Sequence, residues 1–298
     1  MASKTSPTPS APIIPLFGPR ITDDEDEIAV GLPAPLARRD ALPAAMVAAD
    51  LAGRAKVWFV SGPGRSGKTT FIRYLMERMA LDGGTALAAA LDPQNRSLAG
   101  FLEGVAQPPT NDAAAVARWL EDLLRAMMEA GSSALLDLGG GDTSLARVLA
   151  AVPDLVPTME DAGVSPVAAY LLGPRVDDLA SLATFEAQGF QPRATALVLN
   201  EGLIDPTVSR EDAFARVTRH SAFRAAVARG AAVLWMPRLE PSVAAEIEAK
   251  RLRFTFARDG ASPSSRQTTP LGVFDRSRVR AWMAAMDAML APIQPWLP

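Results

Sequence analysis

The stretch VSGPGRSGKTTFIRYL, from Val60 to Leu75, constrains the fold of this chain more than any other part of the sequence. An apolar segment, KVWFVS, leads into it, and a helical pattern with Phe71 and Met79 on one face follows. Between them, residues Gly62 to Thr69 match G-x-x-x-x-G-K-[ST] without a mismatch. This order of strand, glycine-rich loop and helix predicts a phosphate-binding loop.

Each residue type in this loop has a physical role in binding a triphosphate. Glycines let backbone N–H groups turn towards the phosphates, and the helix N-terminus adds partial positive charge. Lys68 is expected to reach the β- and γ-phosphates, and the Thr69 hydroxyl is expected to ligate Mg²⁺. The expected nucleotide-binding residues of the loop are Gly62, Pro63, Gly64, Arg65, Ser66, Gly67, Lys68, Thr69 and Thr70.

Short apolar segments alternate with helical patterns after the loop. Further strands are predicted at TALAAAL, SALLDL, VAAYLLG, TALVLN and AVLWMP, and helices over 113–130, 177–188, 211–229 and 276–290. Asp112 is placed to cap the first of these helices, and Gly131 to end it. The alternation predicts a doubly wound α/β fold, in which a mainly parallel, twisted sheet is flanked by helices.

The first forty residues differ in composition from the rest. Residues 1–40 are rich in Pro, Ser and Ala and contain the acidic run DDEDE. We expect a disordered or loosely attached arm over 1–40 and a P-loop ATPase domain over 41–298, with a short Ala-rich helix around 39–51. The arm segment IIPLFGPRI either belongs to a solvated tail or docks onto a partner or onto the body of the protein.

Composition excludes several kinds of site. The 298 residues include no cysteine and a single histidine, so disulfides, thiolate metal sites and histidine clusters are excluded. His220 is expected on a helix surface. The apolar runs are too short for a spanning helix, and no secretory signal is expected. We expect a cytoplasmic protein, associated with the nucleoid if it binds DNA.

Two carboxylates lie at the ends of the two strands that are predicted after the phosphate loop. The strand SALLDL places Asp137 near its end, where a carboxylate can hold a Mg²⁺-bound water opposite Thr69. The sequence GGGD comes next, and a glycine there lets a backbone N–H approach a γ-phosphate. The second strand leads into LDPQNRSL, which places Asp92 directly after it.

These motifs, in this order, resemble the ParA/MinD family of chromosome- and plasmid-partitioning ATPases. The resemblance rests on the phosphate loop, Asp-Pro-Gln, LLDLGGGD, ALVLN and VLWMPRLEP, and covers about residues 56–290. It implies that Asp92 positions the attacking water, that Asp137 is the Walker B aspartate, and that Asn200 and Pro237 lie near adenine. The implied ligands are ATP and Mg²⁺, the implied catalytic residues are Lys68, Asp92 and Asp137, and the implied metal contacts are Thr69 and, through water, Asp137 and Asp92.

The chain departs from the family pattern at two positions. The family usually has a signature lysine early in the loop, which reaches the partner's nucleotide across a dimer; this chain has Pro63 there. Arg65 either supplies a similar cation or is a solvated loop residue. Ala90 stands where many relatives have an additional aspartate, which indicates a divergent member.

The segment NEGLID bears on the choice of base. GTPases recognise guanine with N-K-x-D, but here Glu201 and Leu203 occupy the lysine and aspartate positions. ATP is therefore favoured over GTP. Asn200 is either a contact to adenine or a turn residue that ends its strand.

Basic residues are concentrated between Lys250 and Arg280. Eight basic residues against Asp259 and Asp275 make this segment 8 − 2 = +6, which leaves −3 − 6 = −9 for the rest of the chain. Such asymmetry suits a non-specific site for DNA phosphates, although a solvated face paired with acids is the alternative. The candidate DNA-binding residues are Lys250, Arg251, Arg253, Arg258, Arg266, Arg276, Arg278 and Arg280.

The last helix raises the question of membrane attachment, because MinD-type relatives bind membrane through a C-terminal amphipathic helix. Its apolar residues are Val279, Trp282, Met283, Met286 and Leu290, and prolines follow closely. Such a stripe is more often a core-facing helix, so membrane binding is the weaker interpretation.

The favoured function is an ATP-dependent dimerisation and DNA-binding switch that partitions, positions or transfers plasmid or other DNA cargo. The expected enzyme is a slow ATP hydrolase that forms a nucleotide-dependent homodimer and is stimulated by an adaptor or cargo protein. One alternative is a P-loop kinase, which needs an arginine-bearing lid and an acceptor pocket; PRVDD and VSREDAF are candidates, but they show no recognisable lid pattern. The other is a non-catalytic nucleotide-binding adaptor, which Pro63 makes plausible.

Overall fold

The computed structural model describes residues 49–91, 97–261 and 268–298. Six strands follow one another in these described parts of the chain. They are β1 (Ala55–Ser61), β2 (Leu87–Ala90), β3 (Ala134–Asp137), β4 (Val164–Leu172), β5 (Ala194–Asn200) and β6 (Ala232–Met236). All predicted strands are present, but β4 begins at Val164 rather than Val167, because Pro166 is accommodated inside the strand opposite Val57.

Helices connect these strands. The α-helices are α1 (Lys68–Leu81), α2 (Ala113–Ala130), α3 (Ser144–Ala151), α4 (Leu155–Asp161), α5 (Ala180–Ala187), α6 (Arg210–Ala213), α7 (Ala215–Arg219), α8 (Ser221–Ala228), α9 (Pro241–Lys250), α10 (Phe254–Asp259) and α11 (Val273–Leu290). Short 3₁₀ helices span Leu98–Gly100, Val176–Leu179, Glu201–Leu203 and Ala291–Trp296. The predicted caps of α2 are confirmed: Asp112 accepts from the Ala115 N–H, and Gly131 is left-handed.

The strands pair in the order β2-β3-β1-β4-β5-β6, and every pair is parallel. The predicted α/β fold class is confirmed. Because all strands run the same way, the segments after them meet at one edge of the sheet. Val60 lies opposite Asp137 in the register, so the phosphate loop and the end of β3 are neighbours at that edge.

Alternate residues of each central strand pack on opposite faces of the sheet. Trp58 and Val60 belong to a core with residues of α1, α9, α10 and α11. Val57 and Phe59 belong to a second core with residues of α2, α3, α4, α5, α7 and α8. The sheet is therefore buried on both faces, which explains why its strands are apolar almost throughout.

The last helix faces the core, as its apolar spacing predicted. The five residues of its stripe are buried, and the Tyr74 hydroxyl on α1 lies within hydrogen-bond distance of both the Met283 carbonyl oxygen and Asp287 Oδ1, to one of which it donates its proton. A helix suited to crossing a bilayer is not found in the described parts of the chain, where each helix is too short or too polar.

The predicted helix over 211–229 was wrong as a single element. It is divided into α6, α7 and α8, with breaks at Phe214 and His220. His220 is not on a helix surface; it is extended and its Nδ1 accepts from the Ala222 N–H, which caps α8. The prediction missed α3, α4, α9 and α10, because short helices produce few turns of periodic pattern.

The described residues belong to one compact unit. The predicted arm over 1–40 lies outside them, as do residues 39–48 of the predicted Ala-rich helix. The boundary near residue 40 stays a prediction.

Candidate functional site

The phosphate loop lies between β1 and α1 and requires glycine at its first position. Gly62 has a φ of 149°, and a Cβ added there would lie 2.3 Å from the Leu171 carbonyl oxygen of β4. No larger residue fits without moving backbone, so the loop is held tightly against the sheet.

Lys68 is the first residue of α1 and is buried within the loop. Its ammonium donates to the carbonyl oxygens of Gly62 and Pro63, both at 2.9 Å. Arg65, by contrast, is exposed at the loop tip and has a left-handed φ of 63°, a conformation that costs a non-glycine residue about 1 kcal/mol. Lys68 points into the loop and Arg65 lies on its outside.

The loop fits an anionic phosphate group. Ser66 is 1% exposed, and its hydroxyl has no hydrogen-bond partner among the described residues. A buried hydroxyl without a partner is costly, and a phosphate oxygen would satisfy it. The ammonium of Lys68 and the N-terminus of α1 add positive charge at the same place.

An oxygen cluster lies beside the loop. The Thr69 hydroxyl donates to Oδ2 of the buried Asp137 over 3.5 Å and lies 3.3 Å from the Ser97 hydroxyl. One carboxylate and neighbouring hydroxyls are the ligand types that Mg²⁺ accepts beside nucleotide phosphates. The chemistry of these side chains therefore fits the implied metal.

The loop after β3 touches the phosphate loop directly. A Cβ added to Gly140 would lie 2.6 Å from the Gly64 backbone nitrogen and 3.1 Å from the Pro63 carbonyl carbon. Gly141, the next residue, has open space around the same position. The segment GGGD is thus in contact with the phosphate loop through Gly140.

Gly140→Ala is therefore expected to weaken nucleotide binding, because the methyl group must displace Gly64 and its amide from the loop. We expect at least a roughly tenfold loss of ATP affinity, measured by equilibrium titration with a fluorescent ATP analogue. Gly141→Ala is the matched control and should bind nucleotide as the native protein does. Equal affinities for the two variants would contradict the contact.

An apolar cavity of about 320 Å³ lies at the α1 end of the loop. Asn200 and Pro237, the two residues predicted to lie near adenine, both line it. Asn200 Nδ2 donates to the Ser66 carbonyl oxygen at 2.8 Å, and its Oδ1 accepts from the Gly202 N–H. Asn200 is thus a turn residue that also ties β5 to the phosphate loop. The rest of the wall comes from Gly67, Thr70, Gly202, Leu203, Met236, Leu239, Pro241, Ala244, Ile247, Glu248, Phe254 and Trp282.

An ion pair between buried Arg73 and half-exposed Glu248 supports one wall of this cavity. Arg73 is 1% exposed, and its Nη1 donates to Glu248 Oε1 at 2.6 Å while its Nη2 donates to the Leu252 carbonyl oxygen. Its guanidinium lies 3.5 Å from the Phe101 ring centroid and 4.6 Å from that of Phe254. Burial lowers the pKa of Arg73, and the charge of Glu248 opposes that shift.

The basic segment is partly neutralised by ion pairs. Lys250 pairs with Glu246, Arg258 with Asp259, and Arg278 with Asp275. These three pairs agree with the alternative in which the basic residues form a solvated face and pair with acidic residues. Arg251, Arg253 and Arg280 are exposed, and Arg276 is half-buried against Gly260.

Two predicted site residues, Asp92 and Arg266, lie outside the described residues.

Fold and site together define a P-loop protein of the α/β class. Family models and curated proteins gave no match to the chain. Among solved structures it is similar to the MinC:MinD cell division protein complex of Aquifex aeolicus, at 13% identity over 77% of this chain and 96% of that chain, with a TM-score of 0.44. It is also similar to a ParA family ATPase from Chlorobium tepidum TLS, at 10% identity over 78% of this chain and 98% of that one, with a TM-score of 0.41.

A third similar structure is chloroplast FtsY from Physcomitrella patens, at 12% identity over 78% of this chain and 65% of that chain, with a TM-score of 0.36. At these identities and TM-scores, the likenesses carry no argument about the activity of this chain.

Sequence reasoning missed three side chains at the site. Ser97 lies five residues after Asp92 and reaches Thr69, and the serine in LDPQNRSL was the available signal. Arg73 and Glu248 carried no signal, because they meet only when α1 and α9 pack together.

Proposed function

We propose that this protein is a ParA-like ATPase that couples ATP binding and slow, partner-stimulated hydrolysis to dimerisation and DNA binding. The cargo in this proposal is a plasmid or other DNA that is partitioned, positioned or transferred. One observation carries the proposal: Gly140, in the loop after Asp137, lies against Gly64 of the phosphate loop. A phosphate-dependent change in the position of Gly64 would therefore displace the glycine-rich loop that contains Gly140.

The site residues have complementary roles in this proposal. Lys68 and the loop N–H groups would hold the phosphates, while Thr69 and, through water, Asp137 would hold Mg²⁺. Mg²⁺, when bound, would neutralise charge on the transferred phosphoryl group. Asp92 is proposed to orient the attacking water and to contact the metal through water. Asn200 and Pro237 would border adenine in the apolar cavity.

Exposed arginines support the proposal of DNA binding. Arg251, Arg253 and Arg280 are exposed, and no ion pair with a described carboxylate holds them. Guanidinium groups in this state can exchange their counterions for DNA phosphates. Binding of this kind would be independent of DNA sequence and strongly dependent on salt.

Size-exclusion chromatography of the full chain with ATP, ADP or no nucleotide, each with and without non-specific duplex DNA, tests the switch. We expect a dimer-sized species with ATP and Mg²⁺ only, and co-elution with DNA only in that state. Rapid ATP hydrolysis by the isolated protein, together with a monomer in ATP, would contradict the switch. Radiolabelled phosphate in an acceptor other than water would indicate the kinase, and unchanged biological activity in Asp92→Ala would indicate the adaptor.

The same complexes test the basic segment. The double variant Arg251→Ala/Arg253→Ala should lower the slope of log affinity against log salt by about 1.8, at about 0.9 for each lost phosphate contact. Arg125→Ala is the control, because Arg125 lies on α2 and pairs with Glu121 and Asp122. An unchanged slope in the double variant would remove these two arginines from the DNA interface.

A further inference from the structure

The cavity beside the phosphate loop has one charged side chain among its described lining residues, Glu248. We infer that Glu248, held in place by Arg73, selects adenine by accepting a hydrogen bond from its exocyclic amine. This inference rests on the proposed function, because it requires the base of a bound nucleotide to occupy the cavity. It adds a specificity-determining residue that the sequence motifs did not indicate.

The geometry of α9 directs Glu248 to this wall. Pro241, Ala244, Ile247 and Glu248 recur at helical spacing, and all four line the cavity. Glu246, on another side of the same helix, does not line it and pairs with Lys250 instead. Glu248 therefore lines the cavity because it lies on the face of α9 that is turned towards it, whereas Glu246 lies on another face.

Arg73 holds one oxygen of the Glu248 carboxylate. Its Nη1 donates to Oε1 of Glu248, and the two aromatic rings of Phe101 and Phe254 enclose the guanidinium. Oε2 has no hydrogen bond to the described residues, so it remains able to accept. A carboxylate held by a buried guanidinium loses little conformational freedom when a ligand binds.

The other polar groups of the wall are already used or are not charged. Asn200 engages both ends of its carboxamide, and the Trp282 indole N–H donates to the Pro237 carbonyl oxygen. Leu203 stands where a guanine-binding site would have an aspartate, and it lines the cavity with apolar surface. Oε2 of Glu248 is thus the charged side-chain acceptor among the described lining residues, and Thr70 contributes a hydroxyl.

The chemistry of the purine ring sets the preference. The amine at position 6 of adenine donates to a carboxylate, whereas guanine presents a carbonyl oxygen there, which a carboxylate repels. A hydrogen bond to an ionised group discriminates strongly in a buried site, but Glu248 has a side-chain exposure of 54%, which weakens it. We therefore expect about a tenfold contribution to ATP affinity.

Equilibrium binding of three nucleotides tests the inference: ATP, GTP and purine riboside triphosphate, which has neither amine nor carbonyl at position 6. The native chain should bind ATP about tenfold more tightly than the unsubstituted purine. In Glu248→Gln the amide oxygen can stay on Arg73 while the N–H₂ group faces the base. That variant should lose the preference for ATP and gain affinity for GTP.

Two further variants make the result specific. Glu246→Gln removes a charge from the same helix outside the cavity and should keep the native preference. Glu248→Asp keeps the charge but withdraws the acceptor by one methylene, so it should lose the preference even if Glu248→Gln does not fold. Equal binding of ATP and the unsubstituted purine by the native chain, or an intact preference in a folded Glu248 variant, overturns the inference.

The failure of the inference is distinguishable from the failure of the proposed function. If no nucleoside triphosphate binds, the function itself is wrong. If ATP binds and the ATP-dependent dimer forms, but the Glu248 variants keep the native preference, the function stands and the base is selected elsewhere.

Discussion

Replacing Lys68 by alanine is expected to lower single-turnover ATP hydrolysis by about 10²–10³-fold. The ammonium of Lys68 lies inside the phosphate loop, where it donates to two backbone carbonyl oxygens of the loop. A cation held at this position would stabilise the charge that develops on the phosphates. The measurement is the release of radiolabelled phosphate from enzyme in excess over ATP, with the stimulating partner if one is needed.

Arg65→Ala is the comparison for Lys68→Ala, because both positions are cationic and belong to the same loop. Arg65 is exposed on the outside of the loop, so its loss should leave the binding of ATP to the monomer unchanged. If the variant binds ATP normally but forms less of the ATP-dependent dimer, Arg65 supplies the cation that the signature lysine supplies in the family. Native rates in Lys68→Ala would refute the phosphate-loop assignment.

Trp296→Ala is expected to lower the free energy of unfolding by about 3–5 kcal/mol. Trp296 is fully buried close to the end of the chain, and its indole N–H donates to the Ala49 carbonyl oxygen. Its own carbonyl oxygen accepts from the Trp58 indole N–H at the centre of the sheet. The substitution leaves a large cavity and an unpaired Ala49 carbonyl, and urea denaturation monitored by circular dichroism measures the loss.

Gln294→Ala is the matched control in the same 3₁₀ helix. Gln294 is exposed, so its truncation should change the free energy of unfolding by no more than about 0.5 kcal/mol. A Trp296 variant as stable as the control would mean that the segment 291–296 contributes little to the core.

Much of the fold could be predicted from local patterns. The strand from Lys56, the loop over Gly62–Thr69 and α2 with both its caps are present as expected, because their signals lie within one short window. The division of 211–229 into three helices could not be predicted. The break at His220 is local, because its Nδ1 accepts from the Ala222 N–H two residues later, but histidine is not among the residues preferred at helix N-caps, so the pattern did not indicate it.

The candidate functional site was likewise predictable only in part. The sequence by itself determined the phosphate loop and the strand end at Asp137. The backbone conformation of such a loop depends on the glycines within a short run of residues after a buried strand. Only the tertiary structure decided that Gly140 touches Gly64 and that Arg73 holds Glu248, which lies 175 positions along the chain. Contacts between distant segments depend on how helices pack on the sheet, and no short stretch of residues encodes that arrangement.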